Sequence, residues 1–164
     1  MLIGITGDTH NNLKNISKIC KIFNEIRPAV VFHTGDITLP KALFSFSVLK
    51  MPLIGVFGNN DLLEKNELLI ESKKFNCSLH DEPYLYETEN EKIFVLHHPN
   101  LIDKSMISKA DYIIHGHTHR YRAEIIDDTL IFNPGECAGF LEGKNKIGFI
   151  DTCKKKSETI SFWN

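Results

Sequence analysis

The sequence lacks an excess of basic residues, a long hydrophobic run and an N-terminal targeting pattern. Its 164 residues carry 19 Lys and Arg against 21 Asp and Glu, a balance that does not predict electrostatic capture of nucleic acid or of an anionic membrane. No apolar stretch approaches the length of a transmembrane helix, and the first apolar run is too short for a signal peptide. We therefore expect a cytoplasmic protein that binds neither membranes nor nucleic acid.

Cysteine is scarce and widely spaced. The four cysteines are Cys20, Cys77, Cys137 and Cys153, and no two of them form the Cys-x-x-Cys pair that is typical of zinc or redox sites. In a chain predicted to be cytoplasmic, such residues are expected to remain reduced thiols, most of them buried. Disulfides therefore play no part in the predicted fold.

Apolar periodicity divides the chain into a mixed first half and a β-rich second half. Strands are predicted at residues 2–6, 29–33, 53–57, 82–88, 92–96, 112–115, 121–126, 129–132, 146–150 and 158–162, and helices at residues 12–27, 41–49, 62–75 and 101–109. This order predicts an α/β fold in which two mixed sheets pack face to face with helices outside. Because no linker, repeat or low-complexity segment interrupts the pattern, residues 1–164 are predicted to form a single domain.

Residue types that bind metals follow five of the short apolar runs. They are Asp8, His10, Asp36, Asn59, His97, His117 and His119. Loops at the carboxyl ends of the strands in an α/β fold converge on one crevice, so these seven side chains are expected to lie together. Seven ligands suffice for two metal ions, which indicates a dinuclear metal hydrolase.

The spacing of the candidate ligands suggests how two cations are shared. Asp8 and His10 are two residues apart, a spacing that on an extended strand end places both side chains on one side, and His117 and His119 repeat it. Asp36 can bridge two cations about 3.5–4 Å apart through its two carboxylate oxygens.

The ligand types also restrict the metal. Asn59 can add a neutral carbonyl oxygen to the imidazoles and carboxylates. Such mixed ligation favours Mn²⁺, Fe²⁺, Co²⁺, Ni²⁺ or Zn²⁺ over Ca²⁺ and Mg²⁺. We expect Mn²⁺ and keep the other four transition metals as alternatives.

The order and spacing of these motifs resemble the calcineurin-like metallophosphoesterase family over nearly the whole chain. The motifs are Asp8-x-His10, Gly35-Asp36, Gly58-Asn59-Asn60-Asp61, His97 and Gly116-His117-x-His119. The length and the late Asn133-Pro134-Gly135-Glu136 loop resemble the small single-domain bacterial and archaeal phosphodiesterases of that family. The resemblance implies a four-layer α/β/β/α sandwich. It also implies that one metal is held by Asp8, His10, Asp36 and His119, and the other by Asp36, Asn59, His97 and His117.

The resemblance and the ligand chemistry together predict hydrolysis of small organic phosphodiesters. A hydroxide that bridges the two metals is expected to attack phosphorus, because metal coordination lowers the pKa of bound water from about 15.7 to about 7. Relatives that act on phosphomonoesters often carry His where this chain has Asn60, and an amide cannot act as a general acid. We therefore expect Asn60 to contact the substrate and the enzyme to prefer diesters or good leaving groups.

Two further residues are candidates for direct contact with the substrate. Many relatives carry Gly-His after the ligand that His97 matches, whereas His98 and Pro99 follow it here. His98 either replaces the missing proton donor or is a tolerated loop residue. Arg120, which follows His119, either reaches a phosphate or forms an exposed salt bridge.

Four remaining polar residues are expected to be structural. His33, His80 and His115 have the sequence context of strand histidines, and His115 is retained only as a weak candidate for support of the metal site. Asp61 is expected to hold the Asn59 loop instead of binding metal.

A scaffold or binding module is the alternative function. The metallophosphoesterase fold is reused as the small retromer subunit, a component of a trafficking complex that has lost part of its ligand set. All seven candidate ligands are present here, which favours an enzyme. The family resemblance allows dimers or tetramers.

Overall fold

The computed structural model describes residues 1–163. The strands in this part of the chain are β1 Leu2–Thr6, β2 Val30–His33, β3 Leu53–Val56, β4 Cys77–His80, β5 Tyr84–Glu87, β6 Lys92–Val95, β7 Tyr112–Ile114, β8 Arg122–Ile126, β9 Thr129–Asn133, β10 Lys146–Asp151 and β11 Lys156–Ser161. The α-helices are α1 Leu13–Ile26, α2 Pro40–Phe44, α3 Lys65–Ser72 and α4 Lys104–Ile107.

The strands form two mixed sheets. The six-stranded sheet has the order β11-β10-β1-β2-β3-β4, in which β1 to β4 are parallel and β10 and β11 join by antiparallel pairing. The five-stranded sheet has the order β5-β6-β7-β9-β8, with β6, β7 and β9 parallel. The parallel strands at the centre of each sheet end at the same edge, which is where the predicted ligands follow them.

One apolar core holds the two sheets together. Ile3, Ile5 and Phe32 of the six-stranded sheet pack in one cluster with Val95 and Ile114 of the other sheet. All five side chains are essentially inaccessible to solvent. The predicted face-to-face packing of two sheets is confirmed.

Helices cover the outer face of each sheet. Phe23 of α1 and Leu68 of α3 join the cluster that contains Val31 and Leu53 of the six-stranded sheet. Met106 of α4 joins a smaller cluster on the five-stranded sheet. The result is the four-layer α/β/β/α order that the resemblance implied. Among the helices of residues 1–163, none is both long enough and apolar enough to cross a membrane.

Three predicted helices were too long. Residues 41–49 form α2 followed by a 3₁₀ helix at Ser45–Val48, and residues 62–75 contain the end of a 3₁₀ helix at Asn59–Glu64 and then α3. The segment 101–109 contains α4 alone as α-helix, after a 3₁₀ turn at Pro99–Leu101. The 3₁₀ segment precedes regular helix at α3 and α4, next to the ligand loops of Asn59 and His97, whereas it follows α2. Strand β4 was missed because Leu79 is its one fully apolar, buried residue.

Candidate metal centre

All seven candidate ligands lie in loops that follow parallel strands. Asp8 and His10 follow β1, Asp36 follows β2 and Asn59 follows β3. His97 follows β6 in the other sheet. His117 and His119 follow the neighbouring strand β7. The two packed sheets thus deliver their ligands from opposite sides of one crevice.

The backbone of these loops is left-handed at most of the ligands. Positive φ angles occur at five of the seven, namely Asp8 (50°), His10 (39°), Asp36 (58°), His117 (68°) and His119 (53°). The expectation of an extended strand end was therefore wrong for both pairs. Non-glycine residues seldom adopt this conformation, and where they do so repeatedly the strain is characteristic of functional sites. Left-handed turns still place Asp8 and His10 together, but they separate His117 from His119.

The first group of ligand atoms surrounds Asp8. One ligand atom from each of Asp8, His10 and His119 lies within 4.8 Å of the other two. Nε2 of His119 is 3.7 Å from Oδ1 of Asp8. Nε2 of His10 is 3.4 Å from Oδ2 of Asp36, so Asp36 adjoins this group.

The second group converges on Nε2 of His97. This atom is 3.0 Å from Oδ1 of Asn59, 3.1 Å from Nδ1 of His117 and 3.5 Å from Oδ2 of Asp36. Nδ1 of His97 lies 2.8 Å from the carbonyl oxygen of Thr34. That contact places the ring proton on Nδ1, because only an N–H can donate to a carbonyl, and leaves the Nε2 lone pair free to bind a metal.

Asp36 connects the two groups. Its Oδ2 lies 3.4 Å from a nitrogen of the first group, on His10, and 3.5 Å from a nitrogen of the second, on His97. Asp8, Asp36 and His97 also offer three buried ligand atoms within 4.8 Å of one another. A carboxylate in this position fits the bridging role that the sequence predicted.

The electrostatics of the centre fit bound cations. Burial raises the pKa of Asp8 to about 7, although the neighbouring His119 opposes this change. Burial also favours the proton at Asp36, but hydrogen bonds from Asn60 and the charge of His97 together lower the pKa of that carboxyl. Burial lowers the pKa values of His10 and His97, which keeps both rings neutral. No Lys or Arg of residues 1–163 forms a salt bridge with Asp8 or Asp36. Neutral imidazoles beside such unpaired, buried carboxylates are ligands suited to divalent transition metals.

Comparison with known proteins identifies the family. Residues 1–155 match the calcineurin-like phosphoesterase superfamily domain. The chain belongs to this superfamily. It is 37% identical, over 98% of both chains, to a phosphodiesterase of Methanocaldococcus jannaschii. The structure of an archaeal phosphodiesterase superposes with a TM-score of 0.85 at 35% identity, covering 99% of this chain and 100% of the other.

More distant structures share the fold alone. Vps29 of Entamoeba histolytica, in complex with zinc, superposes with a TM-score of 0.66 at 16% identity, covering 98% of this chain and 99% of Vps29. The resemblance stated from the motifs is thus confirmed. The protein is a calcineurin-like phosphoesterase and therefore a hydrolase of phosphoric esters, in a family whose members bind divalent metal ions.

Two buried side chains, those of Asp61 and His33, form hydrogen bonds that hold the ligand loops of this phosphoesterase. The Asp61 carboxylate accepts hydrogen bonds from the backbone N–H groups of Asp36, Thr38 and Gly58, at 2.6–2.8 Å, so it holds the Asn59 loop as expected. The fully buried His33 accepts a hydrogen bond from the N–H of Gly35. Its other ring nitrogen lies 3.1 Å from the Thr9 hydroxyl, between the two ligands of the first loop.

Glycine is required where backbone approaches a ligand carboxylate. A Cβ atom on Gly116 would lie 2.6 Å from Oδ2 of Asp8 and 2.6 Å from the Thr34 hydroxyl oxygen. The next residue, His117, donates its backbone N–H to both Asp8 oxygens at 3.0 Å. The absence of a side chain at Gly116 is therefore what allows the β7 loop to hold Asp8.

Sequence reasoning missed two glutamates beside the ligands. Oε2 of Glu136 lies 2.5 Å from Nδ1 of His119. The Glu82 carboxylate accepts the backbone N–H groups of His97 and His98, at 2.6 and 2.8 Å, and its Oε1 lies 2.6 Å from Nδ1 of His98. Glu136 is the last residue of the Asn133-Pro134-Gly135-Glu136 loop, whose resemblance to other phosphodiesterases of the family was the one sequence feature that pointed to it. The sequence around Glu82 contains no such feature.

The tentative substrate residues take different positions. Asn60 is exposed, and its side-chain amide donates to Oδ2 of Asp36 at 2.7 Å, so it contacts the bridging carboxylate. The His98 ring lies against the rings of both His97 and His117, with centroids 4.6 Å apart in each pair. Arg120 is exposed, and its guanidinium forms no salt bridge with any residue from 1 to 163.

The remaining histidines lie outside the ligand groups. His80 stacks on Tyr84 with ring centroids 3.7 Å apart, in agreement with a structural role. His115 is buried under the β7 loop, where Nδ1 lies 3.1 Å from the carbonyl oxygen of Gly116. Burial lowers its pKa to about 4 and keeps it neutral.

Two cavities and an aromatic side chain border the centre. A cavity of about 320 Å³ is lined by Phe57, Asn59, Leu62, Asp81, Glu82 and His98. A cavity of about 160 Å³ lies on the other side, against His119 and Glu136. Phe140 is two-thirds exposed and its ring stacks at 5.6 Å on His119.

Proposed function

We propose that this protein is a dinuclear metal-dependent phosphodiesterase that acts on small organic phosphodiesters, as a single domain. The observation that carries the proposal is the position of Asp36 Oδ2, 3.4 Å from a nitrogen of one ligand group and 3.5 Å from a nitrogen of the other. The 37% identity to a phosphodiesterase over nearly the full length supports the reaction type.

The proposed ligands divide between the two groups. Asp8, His10 and His119 hold one cation, Asn59, His97 and His117 hold the other, and Asp36 contributes to both. We propose Mn²⁺, with Fe²⁺, Co²⁺, Ni²⁺ and Zn²⁺ as alternatives. When bound, such a pair supplies positive charge to the phosphate oxygens and lowers the pKa of bound water toward 7.

His98 is the proposed proton donor to the leaving group. Its half-buried ring lines the 320 Å³ cavity beside Asn59 and is held through Nδ1 by Glu82. Because Nδ1 faces Glu82, Nε2 is the ring nitrogen that remains for proton transfer to a leaving oxygen. Because the His98 ring is held by a carboxylate and lines a cavity beside Asn59, the donor role is favoured over that of a tolerated loop residue.

Asn60 and Arg120 are proposed to contact the phosphate. Asn60 donates its side-chain amide to Asp36, and its exposed position leaves the second amide hydrogen for an ester oxygen. Arg120, free of salt bridges to the described residues, offers a bidentate donor to the same group. The identity to a phosphodiesterase supports our proposal that diesters are preferred to alkyl monoesters.

The alternative function is that of a scaffold like the retromer subunit. Vps29 superposes well, but at 16% identity this likeness shows the fold alone. The connected ligand groups, each with a carboxylate that holds one of its histidines, favour an enzyme. A binding module would have no need of Glu82 and Glu136 in these positions.

Hydrolysis of bis-p-nitrophenyl phosphate by purified protein tests the proposal. We expect turnover with Mn²⁺, little turnover after chelation, and a loss of at least 100-fold in kcat for Asp36→Asn. p-Nitrophenyl phosphate, the matched monoester, is expected to react more slowly than the diester. In Asn60→His the ratio of diester to monoester turnover is expected to be smaller. Absence of turnover with all five metals, or turnover that survives Asp36→Asn, favours the scaffold.

A further inference from the structure

The cavity on the His119 side of the metal centre is lined by cationic side chains. It has a volume of about 160 Å³, and Tyr121, Leu141, Lys144 and Lys146 line it together with His119 and Glu136. We call these four residues beyond the metal centre the lysine pocket. A water molecule occupies about 30 Å³ of liquid, so the cavity has room for a group of a few heavy atoms.

The two ammonium groups of the lysine pocket have no carboxylate partner. Neither Lys144 nor Lys146 forms a salt bridge with any residue from 1 to 163. The Glu136 carboxylate also lines the cavity, but Oε2 contacts His119 and Oε1 accepts the backbone N–H of Phe140 at 3.0 Å. The charge of Glu136 is therefore already engaged, and the pocket is electropositive.

The position of Lys146 is fixed relative to the metal centre. Lys146 begins β10, and its backbone N–H donates to the carbonyl oxygen of Glu136 at 2.7 Å. Its ammonium lies 5.5 Å from the centroid of the Tyr121 ring. Glu136 thus contacts Lys146 through its backbone carbonyl and His119 through its carboxylate, so it connects the lysine pocket to the first ligand group.

The opposite cavity has no lysine or arginine among the residues from 1 to 163 that line it. Asp81 and Glu82 line this 320 Å³ cavity, but Asp81 pairs with Lys65 and Glu82 with His98, the proposed proton donor. A phosphodiester centred on Asp36 would direct its leaving arm towards His98. Its retained arm would then lie towards His119 and the lysine pocket.

We propose that the lysine pocket binds an anionic group, a carboxylate or a phosphate, on the retained arm of the diester. The inference rests on the proposed function and adds the substrate class to it. An anion between Lys144 and Lys146 gains two favourable charge interactions beside the metal centre. The cavity around His98 offers no lysine or arginine of residues 1–163 to the same group on the leaving arm.

The test compares p-nitrophenyl phosphodiesters that differ only at the end of the second arm. The butyl ester is neutral there, the 3-carboxypropyl ester carries a carboxylate, and the 3-phosphonopropyl ester distinguishes a phosphate-like group from a carboxylate. With Mn²⁺-loaded protein we expect kcat/KM at least tenfold higher for an anionic arm than for butyl. We expect the gain to appear mainly in KM.

Variants assign this preference to the pocket. In Lys144→Met/Lys146→Met the ratio between anionic and butyl esters is expected to fall close to one, whereas Lys154→Met, an exposed lysine of another turn, keeps the wild-type ratio. Both positions of the double variant are at least partly exposed, so folding is not at risk. Equal kcat/KM for butyl and anionic esters in the wild type, or an unchanged ratio in the double variant, would overturn the inference.

Product binding separates this inference from the proposed function. Calorimetry with butyl phosphate and 3-carboxypropyl phosphate needs no turnover. Tighter binding of the second, lost in the double variant, supports the pocket even if neither diester is hydrolysed. Equal affinities overturn the pocket and leave the phosphodiesterase proposal to its own test.

Discussion

The Glu136 carboxylate lies 2.5 Å from Nδ1 of His119, while Nε2 of the same ring lies 3.7 Å from Asp8. This is the arrangement in which a carboxylate orients a histidine and increases its basicity toward a metal. The hydrogen bond that His119 donates to Glu136 is the largest cause of the raised pKa of His119. Glu136 therefore contacts the first ligand group through His119, and in the proposed dinuclear centre it would act on the first cation.

We predict that Glu136→Gln weakens binding of one of two metal ions by about 10- to 100-fold, since an amide cannot replace the carboxylate charge. Calorimetric titration with Mn²⁺ measures the affinity for each ion. Glu142→Gln is the control, because Glu142 is exposed on the same loop and its carboxylate forms no salt bridge with residues 1–163. Identical titrations for both variants would show that Glu136 has no part in the centre.

Gly116→Ala is predicted to disturb both stability and metal binding. The new Cβ would lie 2.6 Å from Oδ2 of Asp8, which costs about 1–3 kcal/mol of unfolding free energy by overpacking. Gly148→Ala is the matched control, because its Cβ would meet the Phe132 ring at 2.4 Å, away from the ligands. Denaturant unfolding should show both losses. Mn²⁺ affinity should fall only for Gly116→Ala, and equal affinities would contradict the role of Gly116.

Metal affinity is predicted to increase with pH across neutrality. Burial raises the pKa of Asp8 to about 7, and the Glu136 hydrogen bond raises the pKa of His119, so both groups hold protons at pH 6 in metal-free protein. A metal displaces these protons, and each one released strengthens binding by about tenfold per pH unit below the pKa. Calorimetry at pH 6 and pH 8, in two buffers of different ionisation enthalpy, counts the protons. Binding independent of pH would contradict this assignment.

The sign of the linkage also fixes how the metal-free protein responds to pH. The folded pKa of Asp8 lies above the unfolded value of about 3.9, so the folded state binds more protons between these values. The contribution of Asp8 to stability is therefore complete below about pH 4 and is lost as the pH rises toward 7. Asp8→Asn should remove that part of the pH dependence in denaturant unfolding.

His98→Ala is predicted to slow hydrolysis according to the leaving group. p-Nitrophenolate leaves without a proton, so kcat for bis-p-nitrophenyl phosphate should fall less than threefold. A diester with an alkyl leaving group needs a proton donor and should lose about 100-fold or more. Glu82→Gln should show the same pattern to a smaller degree. His80→Ala, a histidine of β4 outside the ligand groups, should show neither loss.

Equal losses for aryl and alkyl leaving groups in His98→Ala would assign His98 to binding instead of proton donation. Loss of the alkaline limb of the kcat profile with the alkyl ester alone would support the donor role, because a general acid must be protonated to act and only that reaction consumes its proton.

The sequence predicted the ligands because each one ends an apolar run of a parallel strand. Asp8 and Asp36 follow neighbouring parallel strands of one sheet and His97 follows a parallel strand of the other, so the packing of the two sheets brought them together. The separation of His117 from His119 came from the left-handed backbone, which spacing does not report. The motif resemblance divided the pair between two metals, and in the structure His117 lies beside His97 while His119 lies beside Asp8.

The missed features had no local pattern. Glu82 and Glu136 act through single contacts across the fold, and a lone glutamate in a loop has the same sequence appearance whether it supports a histidine or lies in solvent. Strand β4 alternates Cys77 and Leu79 with two polar residues, and pairing with β3 stabilises it more than its own composition does. Tertiary contacts decide such elements.

The number of metal ions bound per chain tests the central claim most directly. Metal-free protein is titrated with Mn²⁺, and binding is monitored by calorimetry and by electron paramagnetic resonance. Calorimetry is predicted to give two ions per chain, and the resonance spectrum is predicted to show the spin coupling of a bridged pair. Asp36→Asn should lose that coupling, because Asp36 is the carboxylate between the two ligand groups. One ion per chain, or two that remain uncoupled in the wild type, would contradict the dinuclear centre.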